Sequence, residues 1–139
     1  SVFVKVNKFK NKLEVLSFIA ETIEEKSGVD KEIALSQLKE REGLGQTSFD
    51  NIAIPHILDQ VRGDSYSIII ILDKPIKWNK EEVDLVYSLV IGESLGDMGL
   101  YYEKLGDFLS NQKLIKMAMN SKNQMEFMNI FIKGGNDGN

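Results

Sequence analysis

Hydrophobic positions along this chain change their period several times, and each period predicts a different element. Val2-Phe3-Val4-Lys5-Val6 is β-branched and alternating, which predicts a first strand. From Asn11 the spacing turns helical, with Leu13, Leu16, Ile19, Ala20 and Ile23 on one side and Glu21, Glu24, Glu25 and Lys26 on the other. Ser27-Gly28 supplies a stop, because glycine takes the left-handed position after a helix without a Cβ penalty. Asp30 is a good N-cap for a second helix through about Glu42, with Ile33, Leu35 and Leu38 as its apolar side.

Residues 43–50 read as a loop by composition. They lead to a short apolar run, Ile52 to Pro55, bounded by polar turn formers and predicted to be a buried strand. Pro55 marks where that strand leaves the sheet, since proline lacks a ladder donor. A polar connection from Asp59 to Ser65 follows. Tyr66 to Leu72 is nearly continuous in β-branched residues, so it predicts a central strand covered on both faces, ended by Asp73-Lys74-Pro75. Val83, Leu85, Tyr87, Leu89 and Ile91 keep a two-residue period and predict another strand. Residues 92–99 hold three glycines and read as a second loop.

Beyond that loop the pattern is helical. Leu100, Tyr101, Leu105, Phe108 and Leu109 share one face, and Leu114, Ile115, Ala118 and Met119 another. Asn123 followed by Glu126 resembles a capping box. The predicted order, β-α-α-β-β-β-α-α-α, makes an α/β domain: a mixed sheet of four to five strands flanked by helices on both faces. One domain over residues 1–133 with a flexible tail at 134–139 suits the 139-residue length.

Composition narrows the function classes. With 17 basic and 21 acidic residues the net charge is −4 and no basic block stands out, which argues against direct nucleic-acid binding. No apolar run reaches membrane-span length and no signal pattern opens the chain, so no membrane insertion is expected and a cytosolic protein fits. Zero cysteines exclude disulfides, thiol nucleophiles and thiolate metal sites. A single histidine excludes a histidine-rich metal site within one chain, and no metal or cofactor is expected.

That histidine, His56, follows Ala53-Ile54-Pro55 at the end of a predicted strand, where a side chain can meet a partner. Polar groups that could surround it are Thr47, Ser48, backbone amides of the 43–50 loop, and one cation, Arg41 or Arg62. The blander alternatives are a semi-buried surface histidine, an Arg41 that caps carbonyls or pairs with Glu40 or Glu42, and Thr47 and Ser48 as loop hydrogen-bonders. Trp78 reads as a packing anchor, and Met117, Met119, Met125 and Met128 as core filler.

Arg41-Glu42, a Gly/Thr loop and then Asn51-Ile52-Ala53-Ile54-Pro55-His56 resemble the active-site segment of enzyme IIA domains. The type is the mannitol/fructose class of the bacterial phosphoenolpyruvate-dependent sugar phosphotransferase system. Lys74-Pro75-Ile76-Lys77-Trp78 and Val83-Asp84-Leu85-Val86 look most like the IIA-like domains that end certain transcriptional activators and antiterminators carrying phosphotransferase-regulation domains. The resemblance implies that His56 is phosphorylated on Nε2 by the carrier protein HPr, with Arg41 as its electrostatic helper. Such a histidine must be neutral, with one bare nitrogen aimed at phosphorus and the opposite nitrogen donating a hydrogen bond that fixes the tautomer. The equatorial oxygens then need donors, for which Thr47, Ser48, the loop amides and Arg41 or Arg62 are the candidates. The resemblance also implies enzyme IIB, which brings its own cysteine, as acceptor or docking partner. Two departures stand out. The loop from Thr47 to Ala53 is one residue shorter than the usual family spacing, with Ile57 in place of the small residue or proline expected after the histidine. The segment around Asp97-Met98-Gly99, expected to carry a second histidine, has none. This favours a regulatory module of a sugar-responsive regulator. The alternatives are a stand-alone transport IIA passing phosphate to IIB, or a non-phosphorylated module that binds IIB through Ile57, Met98 and the 92–99 loop. The sugar and the oligomeric state stay open.

Overall fold

Strand β5 (Tyr66–Trp78) is the longest in the chain, and the main sheet is assembled around it. The computed structural model describes residues 2–6, 8–94 and 98–136. β1 (Val2–Val6) lies parallel to β5, with Val2 opposite Ile68 and Val6 opposite Leu72. β6 (Glu81–Val90) lies antiparallel on its other side, Tyr66 opposite Val90 and Trp78 opposite Glu81. β3 (Ile52–Ala53) joins β6 in parallel, and β2 (Ser48–Phe49) pairs antiparallel with β3. The result is the expected mixed sheet, five strands in the order β1-β5-β6-β3-β2.

The central run from Ile68 to Leu72 is buried at every position, as continuous β-branching requires. Helices α1 (Lys12–Ser27) and α2 (Lys31–Leu44) supply Val15, Leu16, Ile19, Ile23, Ala34 and Leu38 to a core shared with Ile68, Ile70, Leu72, Val86 and Val90. Ile69, Ile71, Leu85 and Tyr87, of opposite parity on the same strands, are buried as well. Local chemistry sets the helix ends. The Asn11 side chain accepts from Glu14 N–H, and Asp30 accepts from Glu32 and Ile33 N–H. Gly28 takes φ +73° at the end of α1.

Several expectations need correction. Asp73-Lys74-Pro75 does not end β5. The strand runs on to Trp78 through a register break between Ile71 and Ile76. β1 has already stopped opposite Leu72, so Pro75 sits on an unpaired edge at an irregularity, where its missing N–H costs little. The Ile52–Pro55 strand is shorter than expected, with only Ile52 and Ala53 in the sheet. The loop at 43–50 is largely structured, since α2 runs to Leu44 and β2 occupies Ser48–Phe49. The polar connection before Tyr66 contains β4 (Val61–Asp64), which pairs in parallel with β7 (Gly92–Ser94) as a separate two-stranded sheet. Leu13 and Ile33 are about half exposed; α2 buries the expected Leu38, packs Leu35 against the core, and adds Ala34 in place of Ile33.

The chain divides into two compact units, Ser1–Ser94 and Leu95–Asn139. The second consists of α3 (Met98–Leu109), α4 (Gln112–Met119) and α5 (Gln124–Asn136). The Phe108 ring meets those of Phe127 and Phe131 at centroid distances of 5.8 and 5.2 Å. At the start of α5 the Asn123 side chain accepts from Glu126 N–H, while Glu126 reaches back to Lys122 N–H, one residue earlier than a reciprocal box would place it. The helix continues through Asn136, past the point where a tail was expected. Of the methionines expected as core filler, Met117 and Met125 are exposed, while Met119 and Met128 are half-buried.

Candidate functional site

Residues 54–59 leave the sheet between two fastened ends. Ile54 N–H donates to Thr47 O at 2.7 Å, extending the β2–β3 ladder by one bond. Beyond the histidine, Ile57 enters the core and the Gln37 side chain holds the turn. Gln37 Oε1 accepts from Leu58 and Asp59 N–H at 3.2 and 3.1 Å, and its amide donates to Asp59 Oδ2 at 3.0 Å. The preceding turn is tied to β6. Asn51 O accepts from Asp84 and Leu85 N–H, and Asn51 Nδ2 donates to Asp84 Oδ1 at 2.8 Å.

His56, half-buried, lies between these anchors with both ring nitrogens engaged. Arg41 Nε donates to Nε2 at 3.2 Å, and Nδ1 lies 3.0 Å from Ile54 O. An arginine N–H can only donate and a carbonyl can only accept. Nε2 is therefore the bare nitrogen, and Nδ1 carries the proton and donates it to Ile54 O. Arg41 also donates from Nη1 to Gly45 O at 3.3 Å, so it is at once a carbonyl cap and a partner of the ring. Gln37 and Arg41 are four residues apart, which places both on one face of α2 toward this segment.

Next to the histidine is a polar cluster that the sequence did not reveal as one. The Glu42 side chain is only 6% exposed. It accepts from Lys12 Nζ at 2.6 Å, from Trp78 Nε1 at 3.0 Å and from Thr47 Oγ1 at 2.6 Å. Trp78 Nε1 also points at Thr47 Oγ1, 3.1 Å away, and Lys12 Nζ lies 5.2 Å from the Trp78 ring centroid. Trp78 is thus a packing anchor that donates a hydrogen bond as well. The Arg-Glu pair was the available signal for Glu42, but its carboxylate faces inward and makes no pair with Arg41.

Of the expected site residues, the structure brings His56 and Arg41 together. Thr47 is buried, with its hydroxyl committed to Glu42 and Trp78. Ser48 is buried too, and its Oγ has no partner among the described residues. Arg62 lies exposed on β4. Gln46, not considered from sequence, spans the turn by donating to Ser48 O and Glu81 Oε1 at 2.8 and 2.9 Å. The side chains of Asp97, Met98 and Gly99, where a second histidine was sought, lie outside the described residues. Among the described residues no group of three or more His, Cys, Asp or Glu could hold a metal ion, and no helix is long and apolar enough to cross a membrane.

Residues 1–134 match the family described as phosphoenolpyruvate-dependent sugar phosphotransferase system, EIIA 2. The chain belongs to that family. This IIA-family domain is 28% identical over 124 residues to the probable licABCH operon regulator of Bacillus subtilis strain 168, which is 88% of this chain and 19% of that protein. The chain therefore spans about a fifth of the length of that curated relative. The fold is shared with nitrogen regulatory protein IIA-Ntr from Neisseria meningitidis, at TM-score 0.75 and 19% identity, covering 94% of this chain and 92% of that one. It is shared also with the complex of enzyme IIA-Mtl and phosphorylated enzyme IIB-Mtl from Escherichia coli, at TM-score 0.71 and 16% identity, covering 95% and 99%.

Proposed function

We propose that His56 of this IIA-family domain accepts a phosphoryl group on Nε2 from phospho-HPr, as a histidine phosphocarrier within a sugar-responsive regulator. One observation carries this: among the described residues the Nε2 of the lone histidine meets only an arginine N–H, a bond whose direction leaves the proton on Nδ1 beside Ile54 O. In the transfer the N–P bond of the donor's phosphohistidine breaks and its imidazole recovers the electron pair. Arg41 shifts its donors from the bare nitrogen to the phosphoryl oxygens as phosphorus approaches, where positioned charge is most effective. The freed Nε2 lone pair forms the Nε2–P bond, and the proton stays on Nδ1, which continues to donate it to Ile54 O. Thr47 and Ser48 are no better than indirect contributors in this scheme, since one hydroxyl is committed and the other enclosed. Exposed Leu44, Phe49 and Leu58, on the segments that carry the site, offer apolar area to a docking protein.

The regulatory role is supported by the similarity to the operon regulator and by the absence of a second histidine. Incubation with phosphoenolpyruvate, enzyme I and HPr is expected to give one acid-labile phosphate per chain, absent in His56→Ala. No incorporation would reject phosphoryl acceptance and leave a module that only binds IIB. Addition of enzyme IIB then separates the roles: slow discharge fits a regulatory module, and rapid discharge fits a transport carrier.

A further inference from the structure

We propose that Glu42 is a positioning residue for His56, acting through Thr47 and the Ile54 backbone. The proposal deepens the reading of His56 as a phosphoryl acceptor and rests on it. The directions of the hydrogen bonds leave little freedom. Lys12 and Trp78 can only donate to Glu42. Thr47 Oγ1 receives the Trp78 N–H, so its own proton is directed to Glu42 Oε2. The Thr47 side chain is thereby fixed on both sides, and its carbonyl is presented to Ile54 N–H at 2.7 Å. Ile54, held by its N–H, presents its carbonyl to His56 Nδ1 at 3.0 Å. Three hydrogen bonds, joined through the Thr47 and Ile54 residues themselves, thus connect a buried carboxylate to the ring nitrogen opposite the reacting one.

The second contact on the ring starts from the same place. Arg41 precedes Glu42 in the last turn of α2, and Glu42 fastens that turn to Lys12 of α1 and Trp78 of β5. Both the donor to Nε2 and the acceptor from Nδ1 therefore depend on one carboxylate. A buried ion pair contributes little net stability against a well-packed apolar replacement. Directionality is what it supplies here. Because all its partners are donors, Glu42 needs two acceptor oxygens, and a glutamine would turn an N–H toward at least one of them.

The test uses the fact that His56 is the sole histidine, so selective 15N-histidine labelling reports one ring. In the unmodified protein the spectra are expected to place the proton on Nδ1 and leave Nε2 bare. Glu42→Gln should move a large part of the population to the Nε2–H tautomer. It should also slow phosphoryl acceptance from phospho-HPr about tenfold to hundredfold, the usual cost of a reacting group displaced by about 1 Å. The HPr concentration at half-saturation should stay unchanged. Should Glu42→Gln fail to fold, Thr47→Val decides: it removes the hydroxyl while leaving Lys12 and Trp78 on Glu42, and it should produce the same tautomer shift, with Thr47→Ser restoring the original spectrum. An unchanged tautomer in folded Thr47→Val overturns the proposal, as does an Nε2–H ring in the unmodified protein. The tautomer arm requires no phosphate, so a domain that never accepts one refutes the phosphocarrier reading without obscuring this result.

Discussion

Replacing Trp78 with phenylalanine isolates the buried cluster beside the site. The indole is 0% exposed, and its N–H lies 3.0 Å from Glu42 Oε1 and 3.1 Å from Thr47 Oγ1. Phenylalanine keeps an aromatic face for Lys12 but removes the donor and two ring carbons. The carbons represent about 1.6 kcal/mol at about 0.8 kcal/mol each. A hydrogen bond to a charged acceptor contributes about 1.5–3 kcal/mol. Glu42 retains Lys12 and Thr47, which holds the second contribution to its lower half, and the cavity left behind adds about 1 kcal/mol. The expected loss is about 4 kcal/mol, or a fall in Tm of about 12–16 °C at the scale for a chain of this length. Trp78 is the only tryptophan, so unfolding must be followed by far-UV circular dichroism and not by fluorescence. A double-mutant cycle with Thr47→Val should show coupling of about 1 kcal/mol, because both changes remove parts of one hydrogen-bonded group. A loss below about 1 kcal/mol, typical of mutations away from such features, or strict additivity would refute the account of Trp78 as a structural donor.

Two other predictions concern the sheet. A Cβ at Gly92 would lie 2.2 Å from Gly63 O, 2.5 Å from the Asp64 carbonyl carbon and 2.8 Å from its oxygen, all backbone atoms of β4. Gly92→Ala should therefore cost about 2–3 kcal/mol and speed amide exchange at Val61, whose N–H donates to Ile91 O at 2.8 Å. Equal protection at Val61 would refute the close approach. Burial raises the pKa of Tyr87 to about 12, partly opposed by the Ser67 hydrogen bond. Between pH 10 and 12 the unfolded chain gives up that proton while the folded one keeps it, so stability falls as pH rises, by about 2–3 kcal/mol at the upper end. The stability difference between wild type and Tyr87→Phe should narrow over this window, and a constant difference would count against it.

Much of the scaffold was legible because the features that encode it lie close together in the chain. The Asn11 and Asp30 caps and the left-handed Gly28 are satisfied within a few residues, and the structure agrees with each; the strand read from Val83 to Ile91 forms as β6 to Val90, buried on both faces from Leu85 instead of alternating. The failures share a cause as well. Pro75 reads as a terminator because proline removes a ladder donor, yet β1 ends opposite Leu72 and leaves that edge with no donor to supply. The β4–β7 pair was missed because its strands are short and polar and meet about thirty residues apart.

By itself the sequence determined the main strands and helices, the starts of α1 and α2, and the one imidazole available as a phosphoryl acceptor. It could not say that Arg41 meets the ring while Arg62 lies exposed on β4, that Glu42 turns inward, or that the Thr47 hydroxyl is committed to Glu42 and Trp78. Those outcomes depend on contacts across separations of 15 residues for Arg41–His56, 31 for Trp78–Thr47 and 36 for Trp78–Glu42. Such contacts exist only once α1 and α2 have settled on the sheet and β5 has passed through its irregularity to bring Trp78 beneath the last turn of α2. Local periodicity carries no information about that placement, which is why only the tertiary structure could decide which polar groups surround the histidine.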